Sequence, residues 1–457
     1  MGARDLVAAV LRGEAETVTA LLAAGADPDT RTDDGLPVLC LAVAAYDDAV
    51  AGALVEGGAD PDHGLPDGTT PLVRAVDGGS PAMVTAVLGR EPGLRLAESR
   101  RTHLLALARD RYERGAEAVL RARAGGTGAV RACRVKDDEY SHVTQLTLGD
   151  DTVRAGHGAI LTDLEWAFRV LTPVEELVAR AVAPRDREHV DRSSARWVLS
   201  ERRSKETWSA VTAYRRSPDP EHRHFVLDVL WCYQLTGASS RNSYEKETAD
   251  LLVAWAVDGE DDPDVLAEVL RVLGDFDHEE AEAVGRRHAD HPDPRVRAQV
   301  PALLLDWDDT RPTLGAAARA TLLGLAGDGH GTVRAAAGAA LAAAHDGSPE
   351  VTDAVVALLR DPVAGVRALT AEAAADGKDG TSAIADALIP LLDADDLGTR
   401  LNAAYGLLRR NDPRTGEAIA RVGSHTRPGY EHDHRLFALW SWEWNNRDAG
   451  RRDDREA

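Results

Sequence analysis

Apolar positions along this chain follow two different periods. Over most of its length they recur three and four residues apart, the spacing of a helix with one buried stripe. Ser348-Pro349 opens such a stretch, with Val351, Val355, Leu358 and Leu359 on one face. Asp361-Pro362 interrupts it and starts a second helix on which Val366, Leu369 and Ala373 fall together. The next pair carries Ile384, Leu388, Leu391 and Leu392, then Leu401, Ala404, Leu407 and Leu408. Between residues 126 and 171 the period drops to two. Ala129–Val135 and His142–Leu148 are β-branched and roughly alternating, Lys136–Glu139 turns between them, and Gly149-Asp150-Asp151 turns into a third short strand, Thr152–Arg154. This predicts a small β-meander followed by a helix over 159–170. A hairpin of that size needs a helix face to pack on.

The helical stretches repeat one another. Asp219-Pro220 with Arg223, Asp293-Pro294 with Arg297, and Asp361-Pro362 with Arg367 share one pattern, and Gly329–Arg334 and Asp396–Arg400 are looser copies. From Arg297 to Arg400 the arginines stand 37, 33 and 33 residues apart. A fixed period in the thirties predicts stacked helix pairs. Six or seven pairs fit between residues 172 and 424, the first opened by Thr172-Pro173-Val174-Glu175 as a capping box. Aspartate accepts the free N–H groups of a helix start, proline suits the first turn, and arginine can fork onto a carboxylate. The Asp-Pro-x-Val-Arg turn resembles the HEAT repeat. The resemblance implies Asp–Arg bonds between successive units and makes these arginines joints rather than ligand contacts.

The first 125 residues repeat differently. Gly25-Ala-Asp-Pro-Asp29 returns as Gly58-Ala-Asp-Pro-Asp62, a shift of 33, and Asp34-Gly35 returns as Asp67-Gly68. Thr69-Thr-Pro-Leu72 opens a helix, and Met83-Val-Thr-Ala-Val-Leu88 makes an apolar stripe after it. This resembles the ankyrin repeat, with three units over about 3–33, 34–66 and 67–99 and a degenerate fourth over 100–125. Pro37-Val38 replaces Thr-Pro in the second unit, and Val73 stands where the family has histidine.

The chain as a whole is thus expected to be an all-α repeat solenoid, ankyrin plus HEAT-like helix pairs, with a small β-meander between the two arrays. The expected divisions are 1–125, 126–171, 172–424 and a C-terminal cap and frayed tail over 425–457.

Charge narrows the partners. The 457 residues carry a formal net charge of −23, which opposes a nucleic-acid partner. Four lysines stand against 49 arginines. Residues 1–89 hold 4 basic and 14 acidic side chains, whereas residues 90–123 hold 9 arginines and 5 acids. The cysteines, Cys40, Cys133 and Cys232, are dispersed, which predicts buried thiols in a reducing compartment and no disulfide framework. The N-terminus has no apolar core of signal-peptide length and nowhere do eighteen apolar residues run uninterrupted, so a cytoplasmic location without membrane contact is expected.

No nucleophile elbow, Walker glycine loop or His-Glu-x-x-His occurs. Iron-binding HEAT hydroxylases repeat His-Glu dipeptides, but here His278-Glu279 stands alone. His222-x-His224 and His432-x-His434 lack a third ligand at metal spacing. No catalytic residue, metal or cofactor is therefore expected. HEAT-fold enzymes of lyase-like or alkylpurine DNA glycosylase-like type remain the alternative. Five of nine tryptophans, Trp166, Trp197, Trp208, Trp231 and Trp255, precede the middle of the helical array, and Trp440, Trp442 and Trp444 are expected to seal its last pair.

The expected function is a non-catalytic protein–protein interaction scaffold. It would hold a protein or peptide partner with a basic segment on concave repeat surfaces. The candidate contacts are the acidic turns Asp33-Asp34 and Asp67, or a groove near Trp208 and Trp231. Nothing in the sequence sets an oligomeric state.

Overall fold

The computed structural model describes residues 2–237, 244–307, 312–345, 347–377, 382–423, 429–430 and 432–456; for 235–237 and 447–456 this extends to the backbone alone. Two units divide the chain, Met1–Ser243 and Tyr244–Ala457. The first contains helices α1 (Ala3–Leu11), α2 (Ala15–Ala23), α3 (Val38–Ala45), α4 (Asp48–Glu56), α5 (Pro71–Gly78), α6 (Pro81–Leu88), α7 (Pro92–Arg95), α8 (Glu98–Arg114) and α9 (Ala116–Ala124). Strands β1 (Arg131–Lys136), β2 (His142–Leu148) and β3 (Asp151–Arg154) follow. Then come α10 (His157–Ala167), α11 (Val174–Val182), α12 (Val190–Glu201), α13 (Lys205–Ala213) and α14 (Pro220–Gly237). The architecture is that of repeated helix pairs with a small antiparallel meander, as expected.

The first helices begin where the sequence supplies caps. Thr70 Oγ1 accepts the Val73 N–H at 3.1 Å, and Ser80 Oγ accepts that of Met83 at 3.3 Å, each with proline next in line. Asp47 does the same for α4. Pro37, the departure in the second unit, leaves α3 without a side-chain cap. Leu6, Val18, Leu39, Leu54, Leu72 and Val87 meet in one buried core that α10 also enters through Ile160, Leu161 and Leu164.

The meander is fastened to the third helix pair rather than hanging as a spacer. Its strands lie in the order β1-β2-β3, with Val135 opposite Val143 and Leu146 opposite Val153. Asp137, buried in the first turn, accepts Ser80 Oγ at 2.6 Å, the Ala82 N–H at 3.0 Å and Arg154 Nη1 at 2.9 Å. The Gly156 N–H donates to the Gly79 carbonyl at 3.0 Å. Gly79 has φ +75°, and a Cβ there would lie 1.9 Å from the Arg154 carbonyl oxygen. Only glycine allows that approach. At the equivalent helix end of the preceding pair stands Tyr46, left-handed at φ 55°. Its hydroxyl lies 2.8 Å from the Gly78 carbonyl and 3.1 Å from that of Thr152, with the Arg154 guanidinium 4.3 Å over its ring.

Beyond the meander, Arg180 of α11 is completely buried. It donates to Thr162 Oγ1 at 3.0 Å, to Glu165 at 2.7 Å and to Glu176, while Arg109 of α8 donates to the same two glutamates at 2.7 and 3.0 Å. Three helices thus share two arginines and two glutamates. Thr172, expected to cap α11, instead donates to Glu165 at 2.6 Å, and α11 begins without a side-chain cap. The buried Glu165 needs that donor more than a partly solvated helix end does.

The second unit contains α15 (Glu245–Asp258), α16 (Pro263–Leu273), α17 (Ala281–His288), α18 (Pro294–Arg297), α19 (Val300–Leu303), β4 (Asp306–Trp307), β5 (Pro312–Thr313), α20 (Ala316–Leu325), α21 (Gly331–Ala343), α22 (Pro349–Leu358), α23 (Ala364–Ala375), α24 (Ser382–Leu388), α25 (Leu397–Arg409), α26 (Thr415–Val422) and α27 (His434–Glu456). The repeating arginines form its joints. Arg297 forks onto Asp328 at 2.7 and 3.0 Å while its remaining nitrogen donates to the carbonyls of His291 and Pro292. Arg334 forks onto Asp361 at 2.8 and 3.0 Å and holds the carbonyls of Asp328 and Gly329. Arg367 and Arg400 hold the carbonyls of their own turns. A second set works backwards: Arg295 reaches Asp264 at 3.1 Å and Arg414 reaches Asp386 at 2.6 Å, each also braced by the aspartate two residues before it.

Three expectations need correction. Leu369 does not share the buried face of α23; it is exposed, and Val366, Thr370, Ala371 and Ala374 fill that face. Of the last tryptophans only Trp442 packs inward, against Gly416, while Phe437, Trp440 and Trp444 stack along the outside of α27 at 6.0 and 6.1 Å between centroids. Leu436 and Leu439 seal the pair in their place. Cys133 is exposed on β1 rather than buried. The tail from Arg447, expected to fray, continues the helical backbone of α27 as far as Glu456, and its side chains fall outside the described residues.

Two substitution pairs test these joints. Gly25 also has a positive φ, +91°, but open space around a Cβ. Gly25→Ala should cost about 1–2 kcal/mol from the backbone alone, and Gly79→Ala clearly more because the meander must detach; equal losses in denaturant titrations would contradict the contact. Arg297→Ala should cost about 1–2 kcal/mol, since it leaves the carbonyls of His291 and Pro292 without a donor and Asp328 with the His330 N–H alone. Arg286→Ala, which removes only a surface pair with Glu282 at 3.2 Å, should stay within about 0.5 kcal/mol. Equal melting shifts for these two would refute the joint.

Candidate functional site

The acidic turns of the first unit divide into two classes. The aspartates of the repeated Gly-Ala-Asp-Pro-Asp segments are used internally. Asp27 and Asp60 each accept an N–H two residues on, at 3.0 and 2.9 Å, which shapes the turn. Asp29 accepts the Asp60 N–H at 2.9 Å, joining one turn to the next, and Asp62 holds Arg95 at 2.8 Å. At the tips the picture is different. Asp33 and Asp34 are exposed and receive no hydrogen bond or ion pair among the described residues. Asp67, one repeat further on, accepts from Thr69 Oγ1 at 2.6 Å, the Thr69 N–H at 2.9 Å and Arg74 at 2.8 Å. These bonds, the threonine hydroxyl first, hold its carboxyl down to about 2. Arg31 and His63 meet across the two turns at 2.7 Å.

Trp208 lies on α13 and Trp231 on α14, both half-buried. They belong to a different part of the first unit from the acidic turns. Of the other early tryptophans, Trp255 is buried with its indole N–H on Glu260 at 3.1 Å, and Trp197 is exposed.

A site that the sequence reading missed lies where the meander, α6, α10 and α12 converge. A cleft of about 370 Å3 there is walled by Asp48, Asp138, Asp163, Ser141, Ser193 and Ser194. Asp163 accepts Ser194 Oγ at 3.2 Å; Asp191 on the facing helix accepts the Ala159 N–H at 2.7 Å and so caps α10. Asp191 is buried and Asp163 half-buried at the cleft wall, and loss of hydration pushes each up to about 7, Asp191 further through its neighbour Asp163 and against the pull of Arg180. Gly158 makes room for Asp191, whose oxygen would lie 2.6 Å from a Cβ there. The sequence held one clue: a carboxylate set in the otherwise apolar run Ala159-Ile-Leu-Thr-Asp-Leu164.

Histidine pairs do other work. His222 stacks on Tyr214 at 5.4 Å, and His434 meets Tyr405 edge-on at 5.5 Å. Among the described residues no group of three or more His, Cys, Asp or Glu is placed to hold a metal ion. No helix among them is long and apolar enough to cross a membrane.

Comparison with known proteins adds one assignment. A family model described as ankyrin repeats (3 copies) matches residues 6–96. Residues 6–96 are ankyrin repeats, and the helices beyond them are repeat-like. None of the curated proteins compared matches the chain. Among solved structures, the X-ray structure of YibA from Escherichia coli is 16% identical, over 55% of this chain and 92% of that one, with a TM-score of 0.40. The crystal structure of an engineered protein is 17% identical over 90% of this chain and 94% of that one, with a TM-score of 0.34.

These two carboxyls predict a pH signature. Folded Asp163 keeps its proton up to about 7, whereas the unfolded chain releases it near 3.8. Between those values the folded state binds more protons, so this contribution to stability is lost as pH rises. Asp163→Asn keeps an acceptor for Ser194 and removes the charge. In thermal melts the variant's advantage over the parent should therefore grow by several degrees from pH 5 to pH 8. An advantage that stays constant across that range would refute the assignment.

Proposed function

We propose that this chain is a non-catalytic scaffold that holds a protein or peptide partner through a basic segment of that partner. The observation that carries the reading is the pair of open carboxylates, Asp33 and Asp34, at the tip of a turn in a stretch of ankyrin repeats. Every neighbouring turn aspartate named above is engaged with the protein itself, whereas these two are left to solvent. Asp67 extends the acidic row on the next turn and stays ionised down to about pH 2. A row of fixed negative charge favours cationic side chains and speeds their approach. Trp208 and Trp231, half-buried in α13 and α14, are the second candidate surface.

The reading extends to the later helix pairs. We infer HEAT-like units over 172–424 joined by arginines at their turns; the forks Arg297–Asp328 and Arg334–Asp361 support this. Ankyrin repeats over 1–125, a meander segment over 126–171 and a cap over 425–457 complete the proposed division. An exposed thiol at Cys133 fits a reducing, cytoplasmic setting.

The test is affinity capture from native lysate with the parent protein and with a variant carrying Asp33→Asn, Asp34→Asn and Asp67→Asn. At least one protein should be enriched by the parent and drop fivefold or more on the variant, with the loss deepening as salt is lowered. If both capture the same proteins equally, the acidic tips are not the docking surface.

A further inference from the structure

We infer that the second unit carries a separate docking cleft, centred on Trp307, for a peptide segment in which cationic and apolar side chains alternate. The inference rests on the scaffold reading but uses a surface that this reading does not. The turn from Gly274 to Glu282 and the chain from Ala302 to Trp307 enclose a cleft of about 540 Å3. Its floor is apolar: Phe276, Leu303 and Leu304 are buried beneath it, and Leu305 is half-buried. Trp307 stands on its wall 69% exposed. A tryptophan left in water beside a concave apolar floor is the side chain that most often anchors a partner. Neither tryptophan group noted in the sequence includes it.

Charge selects the occupant. The walls carry Asp275, Asp277, Glu279, Glu282 and Asp306 and neither lysine nor arginine. Glu282 has Arg286 at 3.2 Å and Asp275 has Arg271 at 3.7 Å. Asp277, Glu279 and Asp306 form no ion pair among the described residues. The cleft also lies in the most acidic part of the chain, since residues 258–282 hold 11 carboxylates and one arginine. His278 pins the turn, with Nε2 3.1 Å from Asp250 and Nδ1 accepting the Glu280 N–H at 3.0 Å, so the rim is fixed in place. A guanidinium or ammonium on the indole face gains both the ring's quadrupole and these carboxylates. Apolar neighbours in the same segment then cover the leucine floor. A nucleic acid would bring phosphates of the wrong sign, and a second copy of this chain, at −23, would bring like charge.

The probe is a fluorescein-labelled dodecapeptide of four Arg-Leu-Gly triplets, titrated with the full-length protein and followed by anisotropy. The same peptide with Glu in place of Arg is the control. The arginine peptide should bind and the glutamate peptide should not. Trp307→Ala should weaken binding tenfold or more, Trp307→Phe less, and Asp277→Asn with Glu279→Gln should weaken it while flattening its salt dependence. Trp307 is exposed and both carboxylates are at the surface, so melting curves should match the parent's. No binding by the parent overturns the cleft. So does binding unchanged by Trp307→Ala and by the carboxylate pair. If the affinity falls only with Asp33→Asn, Asp34→Asn and Asp67→Asn, the ankyrin turns hold the peptide and the cleft is refuted while the scaffold reading stands. If lysate capture is unchanged by the Asp33, Asp34 and Asp67 substitutions but the cleft variants behave as expected, the acidic tips are refuted as the docking surface while the cleft stands.

Discussion

At two successive joints of the second unit one arginine side chain does two jobs. Two nitrogens of Arg297 form a fork onto Asp328 of the next turn, and the third closes its own turn through the carbonyls of His291 and Pro292. Arg334 repeats the arrangement with Asp361 and the carbonyls of Asp328 and Gly329. Helix pairs cannot bury their apolar faces alone, so stacking supplies the core. Apolar burial has little directional preference, however, and would tolerate slippage. The fork does not. A planar guanidinium meets a carboxylate in one geometry, which sets the registration of Val333, Leu341, Val355 and Leu358 in the core beneath.

The first unit meets the same problem with buried polar groups in place of a repeated ladder. A sheet and a helix stack have no common period, so no repeating contact can join them. Asp137 joins them instead by completing the open N-terminus of α6 from outside, while Gly79 lets the two backbones touch. Arg180 and Glu165 tie α10 to α11 in the same way. Buried pairs of this kind add little net stability over apolar packing, and removing one partner is costly. Their value is positional: one arrangement pairs the charges.

The sequence showed much of this, and its failures have a common cause. Features that recur at a fixed shift were legible: the Gly-Ala-Asp-Pro-Asp turns, the Asp-Pro turns and their arginines; so was the helix start at Thr69–Leu72. The meander strands were legible from their period of two, to within two residues. What could not be read were contacts made once between distant segments. Asp137 appeared only as part of a turn, because its partner Ser80 lies 57 residues away. Thr172 had every local mark of a cap and was taken by Glu165. Asp163 and Trp307 are single residues whose meaning depends on which helix or turn faces them. Leu369 failed for a simpler reason: a helical stripe of small residues such as Ala371 and Ala374 leaves the angle of the buried face open.

This division also explains why an acidic surface remains in a chain rich in arginine. Arg154, Arg180, Arg297 and Arg334 point into turns and helix ends, where carbonyls and selected carboxylates consume their hydrogen-bonding capacity. Arginine can do this because its donors are fixed in a plane and it stays charged when partly buried. Carboxylates that no arginine meets, such as Asp33 and Asp34 in one unit and Asp277, Glu279 and Asp306 in the other, are left at turns and clefts. Each joint neutralises one acid with one base inside the structure, so the formal charge of −23 falls on the outer surface. A chain assembled this way repels acidic polymers and draws basic segments to the places where its repeats stop bonding to themselves.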